Sequence, residues 1–256
     1  MIEKPVVAFF DLDNTLLDGA NGNIYAIRMV REGYMKPRVL LQVLRYTILY
    51  KMNRLPRREV YKKVLDIMGH YTVTEMIAFM DRNFESHIVP KLYQGGVNIV
   101  REHREQGHST VIATAAGEYI AERVRVQLGA DDIIASYTPI KGDHMTSEEM
   151  GPMAFMEVKL DMAMEYCREK GADPADCWFY SDSASDLPLL ETVGHPVMVN
   201  PQLKLRQETR GRGWPVLHFK EYAKFDRIRR PERLISPEMT HFLRLYEESL
   251  AKARGA

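Results

Sequence analysis

The chain has 256 residues, 45% of them hydrophobic, which suits one large domain or a core with a single inserted module. Lys and Arg together number 35, as do Asp and Glu, so no global field marks a nucleic-acid binder. Cys167 and Cys177 are the only cysteines, which excludes a disulfide framework or a cysteine metal cluster.

The first element, Val6 to Phe10, is uninterruptedly apolar and reads as a strand covered on both faces of a parallel sheet. It ends in Asp11-Leu12-Asp13-Asn14-Thr15, two carboxylates one residue apart, at the edge where open α/β sheets place ligands. Such a pair is costly unless something cationic, such as a metal, neutralises it. Residues 19–90 then read as helices, with apolar residues at helical spacing over Ile24–Glu32, Arg38–Tyr50, Arg57–Met68 and Val73–Phe84. Pro37, Pro56, Gly69 and Pro90 punctuate them. This segment is expected to form an all-helical cap over the carboxyl edge of the sheet. From Arg28 to Lys63 eleven basic residues face only Glu32 and Glu59, an excess expected to rim the site mouth and steer anions.

Val39–Tyr50 is the longest candidate membrane segment, but it carries Arg45 and falls short of the about 20 apolar residues a span needs. The opening Met-Ile-Glu-Lys has no signal-peptide core, so a cytoplasmic protein without membrane contact is expected. Further strands are expected at Thr110–Ala113, Ile133–Ala135, Cys177–Tyr180, Pro196–Val199 and Val216–Phe219. Helical patterns at Gly96–Gln106, Glu118–Leu128, Val158–Lys170 and Leu187–Thr192 alternate with them. That rhythm predicts an α/β fold with a doubly wound parallel sheet, its core formed by residues 1–18 and 91–235. Tyr137–Thr146 suggests a small hairpin turning at Lys141-Gly142-Asp143, and residues 236–256 a C-terminal helix packed on the core, opening at Ser236-Pro237-Glu238.

Three more sites fall near predicted element ends. Thr114, followed by Ala115-Ala116-Gly117, offers a hydroxyl and backbone N–H groups at a small-residue turn into a helix, which suits a phosphate. Lys159 lies near the start of a helix, where a cation opposes the helix dipole. Asp182 and Asp186 follow a later strand. His103, His108 and His195 lack ligand spacing and read as surface or loop residues.

In this order the residues resemble the motifs of the haloacid dehalogenase superfamily. Asp11 to Thr15 looks like its first motif, Thr114 its second, Lys159 its third, and Asp182 with Asp186 its fourth. A helical insertion after the first motif is similar to the cap of the phosphoserine-phosphatase-like branch. The resemblance implies a Mg²⁺-dependent phosphomonoesterase acting on a small phosphorylated metabolite. Asp11 would be the nucleophile that forms an aspartyl-phosphate, and Asp13 the general acid and base. Mg²⁺ would be held by the Asp11 carboxylate, the Asp13 backbone carbonyl and Asp182. Thr114 and Lys159 would grip the phosphoryl oxygens, with Asp186 orienting Lys159 or a metal-bound water.

Asp13 favours phosphoryl transfer over dehalogenation, which has no need of a second acid. Ala20 stands nine residues after Asp11, where phosphoserine phosphatases carry a glutamate that meets the substrate amino group, so phosphoserine is disfavoured. Asn21, Asn23 and Tyr25 suit a neutral polar leaving group, histidinol phosphate being one candidate. Arg54, Arg57 and Arg58 suit a second anionic group. A phosphotransferase or phosphomutase is the first alternative reading. The second is a non-catalytic module that docks on anionic lipid or nucleic acid through a basic cap.

Overall fold

Alternation along β1 (Val7–Phe10) divides the interior into two cores. Ala8 and Phe10 point into one, Val7 and Phe9 into the other, all at most 1% exposed. The structure is a computed structural model and describes residues 4–51, 57–148, 151 and 153–230. Arg54 and the expected helix at 236–256 lie outside the described residues, as does the side chain of Arg57.

Strands β1, β2 (Ser109–Gly117), β3 (Asp132–Ser136), β6 (Trp178–Ser181), β7 (His195–Val199) and β8 (Val216–Leu217) form one sheet in the order β3-β2-β1-β6-β7-β8. Its pairings are parallel throughout, the doubly wound arrangement that the alternation of strand and helix predicts. From β1 the chain builds outward through β2 and β3, then returns to the far side of β1 for β6, β7 and β8. The strand order therefore reverses between β1 and β6, and a crevice opens beyond their carboxyl ends. A separate hairpin pairs β4 (Ile140–Lys141) with β5 (His144–Met145) around Gly142, at the expected place.

Helices α5 (Gln94–Glu105) and α6 (Glu118–Leu128) cover the Phe10 face, burying Val100, Ile120 and Val124. Helices α7 (Glu157–Lys170), α8 (Leu187–Leu190) and α9 (Leu203–Glu208) cover the Phe9 face with Met162, Tyr166, Leu189, Leu190 and Leu205. Each such fully buried side chain contributes about 1.5–3 kcal/mol. Gly129 and Gly171, at φ +73° and +69°, end α6 and α7 in the left-handed conformation that glycine adopts without steric cost.

Between β1 and α5 stand α1 (Asn21–Arg31), α2 (Pro37–Lys51), α3 (Arg57–Met68) and α4 (Val73–Asn83), the four helices expected of the cap. Thr72 and Glu75 close a capping box that fixes the start of α4. Polar links tie these helices to the rest of the molecule. The buried Arg123 guanidinium on α6 lies 2.9 Å from the Asp81 carboxylate on α4, and the Tyr119 hydroxyl donates to that carboxylate at 2.5 Å. The Tyr61 hydroxyl lies 3.1 Å from Thr138 Oγ1. Gly69 passes so close to the hairpin that a Cβ there would meet the Met145 carbonyl oxygen at 2.5 Å.

Among the described cations of the cap, Arg31, Lys36, Arg38, Arg45, Arg58 and Lys62 are exposed, and Arg28 is engaged with Asn83 and Glu32. Amphipathic helices turn their apolar stripes inward and leave their cations on the opposite face. One expectation fails here: of the three histidines read as surface or loop residues, His195 is exposed and His108 lies in a loop, but His103 is buried. His103 is 4% exposed, its Nδ1 2.7 Å from His108 Nδ1 and its Nε2 2.8 Å from the Tyr180 hydroxyl, while His195 stacks on Trp178. His103 occupies the inward face of α5, and the parallel register brings the ends of β6 and β7 to it.

Candidate active site

The site grows from register. Phe10 is level with Ile112 on one side and Tyr180 on the other, so Asp11 stands beside Ala113 and Ser181. Thr114 and Asp182 follow one residue later on the two neighbouring strands. Asp11 is 7% exposed, Thr114 1%, Lys159 2%, Asp182 1% and Asp186 2%. The structure thus gathers four of the expected charged groups in one desolvated crevice, where charges interact far more strongly than in water.

Lys159 is their hub. Its Nζ lies 2.9 Å from Asp11 Oδ1 and 2.8 Å from Asp186 Oδ1. Asp186 Oδ2 accepts the Ser181 hydroxyl at 2.6 Å. Asp186 therefore lies between Lys159 and Ser181. Its backbone precedes α8, but its side chain makes no capping hydrogen bond there. Burial alone would depress the Lys159 ammonium; attraction to Asp11 and Asp186 outweighs it and raises the pKa. The helix that carries Lys159 follows Met156, whose φ of +53° is a strained conformation for a residue with a side chain.

One cation does not balance this many acids. Burial, aided by Asp186 and Asp182, holds the Asp11 carboxyl well above the usual carboxylate range despite Lys159. Burial pushes Asp182 up to about 7, with Asp186 and Asp13 adding to the rise and the Gln202 amide, donating to Asp182 Oδ2 at 2.6 Å, opposing it. Among the described residues no group of three or more His, Cys, Asp or Glu side chains is arranged as a metal cage. Two carboxylates and a backbone carbonyl are nonetheless a hard, all-oxygen donor set of the kind Mg²⁺ accepts when water supplies the remaining positions. The uncompensated negative charge fits a cation there.

Asp13 is positioned differently. The loop after β1 turns tightly, with Leu16 and Leu17 N–H both donating to the Leu12 carbonyl and Asn14 at φ +61°, a conformation Asn tolerates. Gly19, at φ +103°, then sends the chain back so that α1 starts against Asp13. The Asn21 N–H and side-chain amide both donate to Asp13 Oδ1 at 2.8 Å, and the amide also reaches Oδ2 at 2.9 Å. Asp13 so caps a helix whose own N-cap, Ala20, offers no side-chain acceptor.

Asn21, expected to meet substrate, therefore commits its amide nitrogen to Asp13. Asn23 is exposed at the edge of the adjoining chamber, and the Tyr25 hydroxyl donates to the Met80 carbonyl at 3.4 Å. The turn expected after Thr114 is absent, because β2 continues to Gly117 with a register shift against β3 after Ala113. Thr114 Oγ1 accepts the Ala116 N–H at 3.1 Å. Sequence reasoning did not single out Gln202, at the N-cap of α9 and outside any motif, or the bond that Ser181 of the fourth motif makes to Asp186.

The family model for haloacid dehalogenase-like hydrolases matches residues 8–191. An inhibition of morphological differentiation protein from Streptomyces azureus is 28% identical over 217 residues, covering 83% of this chain and 78% of that protein. A histidinol-phosphatase from Neisseria meningitidis serogroup C (strain 8013) is 28% identical over 219 residues, covering 84% of this chain and 99% of the relative. A crystal structure from Bordetella pertussis Tohama I, of a protein with unknown function, superposes with a TM-score of 0.77 at 26% identity, covering 84% of this chain and 99% of that one. Among the described residues no helix is long and apolar enough to cross a membrane.

Proposed function

Since the chain belongs to the haloacid dehalogenase-like hydrolases, we propose that it is a phosphatase, a Mg²⁺-dependent phosphomonoesterase working through an aspartyl-phosphate. The observation that carries this reading is the buried cluster of Asp11, Lys159, Asp182 and Asp186 at the switch point of the sheet. A phosphatase among the relatives agrees with it.

In this mechanism a carboxylate oxygen of Asp11 attacks phosphorus while Lys159 holds Oδ1 and so sets the angle of approach. The P–O bond to the leaving group breaks as Asp13 gives that oxygen a proton. Asp13 then takes a proton from water, the hydroxide attacks phosphorus, and inorganic phosphate leaves with Asp11 restored. Asn21 holds the Asp13 carboxylate in place through both steps. Thr114 and Lys159 bind the phosphoryl oxygens, so that fixed charge meets the charge of the transition state. Asp186 keeps Lys159 in position. When bound by the Asp11 carboxylate, the Asp13 carbonyl and Asp182, Mg²⁺ offsets the repulsion between nucleophile and phosphate.

Phosphate release measured with Mg²⁺ and with EDTA, beside an Asp11→Asn control, tests the reading. Metal-dependent release is expected from the wild type, and a fall of roughly a thousandfold or more in a variant that still folds. Retained turnover in Asp11→Asn would overturn the mechanism. Capture of the phosphoryl group by an added alcohol faster than by water would point instead to a phosphotransferase.

A further inference from the structure

A chamber of ≈ 550 Å³ opens from Asp13 and is roofed by α1, α2 and α3. Its wall includes Leu40, Val43, Leu65 and Met68 from those helices, with Ala116 and Met145 from the core side. Among the described lining residues Asp13 alone is charged. Most of the polar side chains on the wall are already engaged. Tyr25 donates to Met80, Tyr61 and Thr138 bond one another, Tyr119 donates to Asp81, and Asn21 donates to Asp13. Among the described lining residues no cation faces a substrate carboxylate, and Asp13 is the one acid that could meet an ammonium. Ile27 and Leu44, 46% and 42% exposed, continue the apolar lining out to the surface.

A pocket of this size normally buries most of a ligand's surface, and its few unspent polar groups decide what that ligand is. A leaving group bearing charges would exchange water for hydrocarbon here without compensation, at a cost that rises steeply for each charge. Resting on the phosphatase reading above, we infer that the substrate is a phosphomonoester of a long apolar alcohol. Its phosphate meets Asp11, its ester oxygen faces Asp13, and its hydrocarbon chain fills the chamber beneath α1, α2 and α3. Hydrolysis breaks the P–O bond, takes up water, and releases the free alcohol and inorganic phosphate.

The test uses two ligand series on the whole chain with Mg²⁺. Linear n-alkyl phosphates from two to ten carbons report turnover, with phosphoserine and histidinol phosphate as charged references. The matching n-alkylphosphonates, which lack the ester oxygen, report binding by calorimetry. Both kcat/KM and phosphonate affinity should rise about fourfold per methylene until the chamber is full. Ala26→Trp, which fills the chamber, and the milder Val64→Gln should each flatten that dependence.

Turnover of the charged references above any alkyl phosphate, with flat phosphonate binding, would overturn this inference and leave the phosphatase intact. Chain-dependent binding without phosphate release from any compound would sink the phosphatase reading, and the substrate assignment with it.

Discussion

The two walls of the crevice are built from opposite materials. Below, the carboxyl ends of β1, β2 and β6 with α7 gather three buried acids around one lysine, which pairs with two of them, Asp11 and Asp186. Above, α1, α2 and α3 present an apolar ceiling whose described hydroxyl and amide groups are largely tied off, and most of their described cations are exposed. A floor of buried acids is costly to build, because each charge is desolvated, whereas a ceiling of apolar side chains is not. In the proposed mechanism, phosphoryl transfer belongs to the floor and choice of alcohol to the ceiling. Asn21 is where they touch, a residue of the first helical turn that holds an acid of the floor.

The largest effect should come from removing the hub. Lys159→Met leaves Asp11 and Asp186 buried without their cation, which costs about 3–5 kcal/mol of stability. Chemical denaturation with Mg²⁺ absent should show that loss, and activity should vanish with it. An unchanged midpoint would mean that the acids do not depend on Lys159.

Next in size is the pH response of the strand ends behind the site. Burial, then His108 and His195, lowers the pKa of His103 to about 4, against 6.5 for a free imidazole. Between those values the unfolded chain binds more protons than the folded one. Stability is therefore held above about pH 6.5 and falls as the pH drops toward about 4, by up to about 3 kcal/mol. Thermal melts across that range, with His103→Gln as the flattened control, check the sign.

Asn21→Ala sharpens the division between the walls. If Asn21 serves Asp13, kcat should fall about tenfold with KM little changed, as for an interaction used in the transition state. A rise in KM at constant kcat would return Asn21 to substrate recognition. The smallest effect expected is that of Tyr61→Phe, which breaks the bond to Thr138 between ceiling and floor and should cost about 1 kcal/mol. Its stability change, set beside its KM for an alkyl phosphate, reports how firmly that link holds α3 over the chamber.

Much of the floor is legible in one dimension. Val7–Phe10 is apolar on both faces, so it had to lie inside a parallel sheet, and Asp11 had to emerge at its ligand-binding end. The helix carrying Lys159 and the strand leading to Asp182 are equally plain, because local periodicity and turn residues specify them. The extent of β2 is not, since Thr114 to Gly117 are small residues without a strand pattern of their own. Pairing with β3, through a shift in register, draws them into the sheet.

Which residues are candidates for chemistry was thus written into local pattern: an apolar strand ending in acids is legible without its neighbours. What those residues do to one another was decided by tertiary structure alone. Lys159 reaches Asp11 across 148 positions of sequence, and Asn21 turns from substrate to Asp13. Helical spacing reveals that a stripe is apolar but not what lies beneath it, and only packing α1, α2 and α3 over one crevice creates a chamber whose described lining carries Asp13 as its one charge.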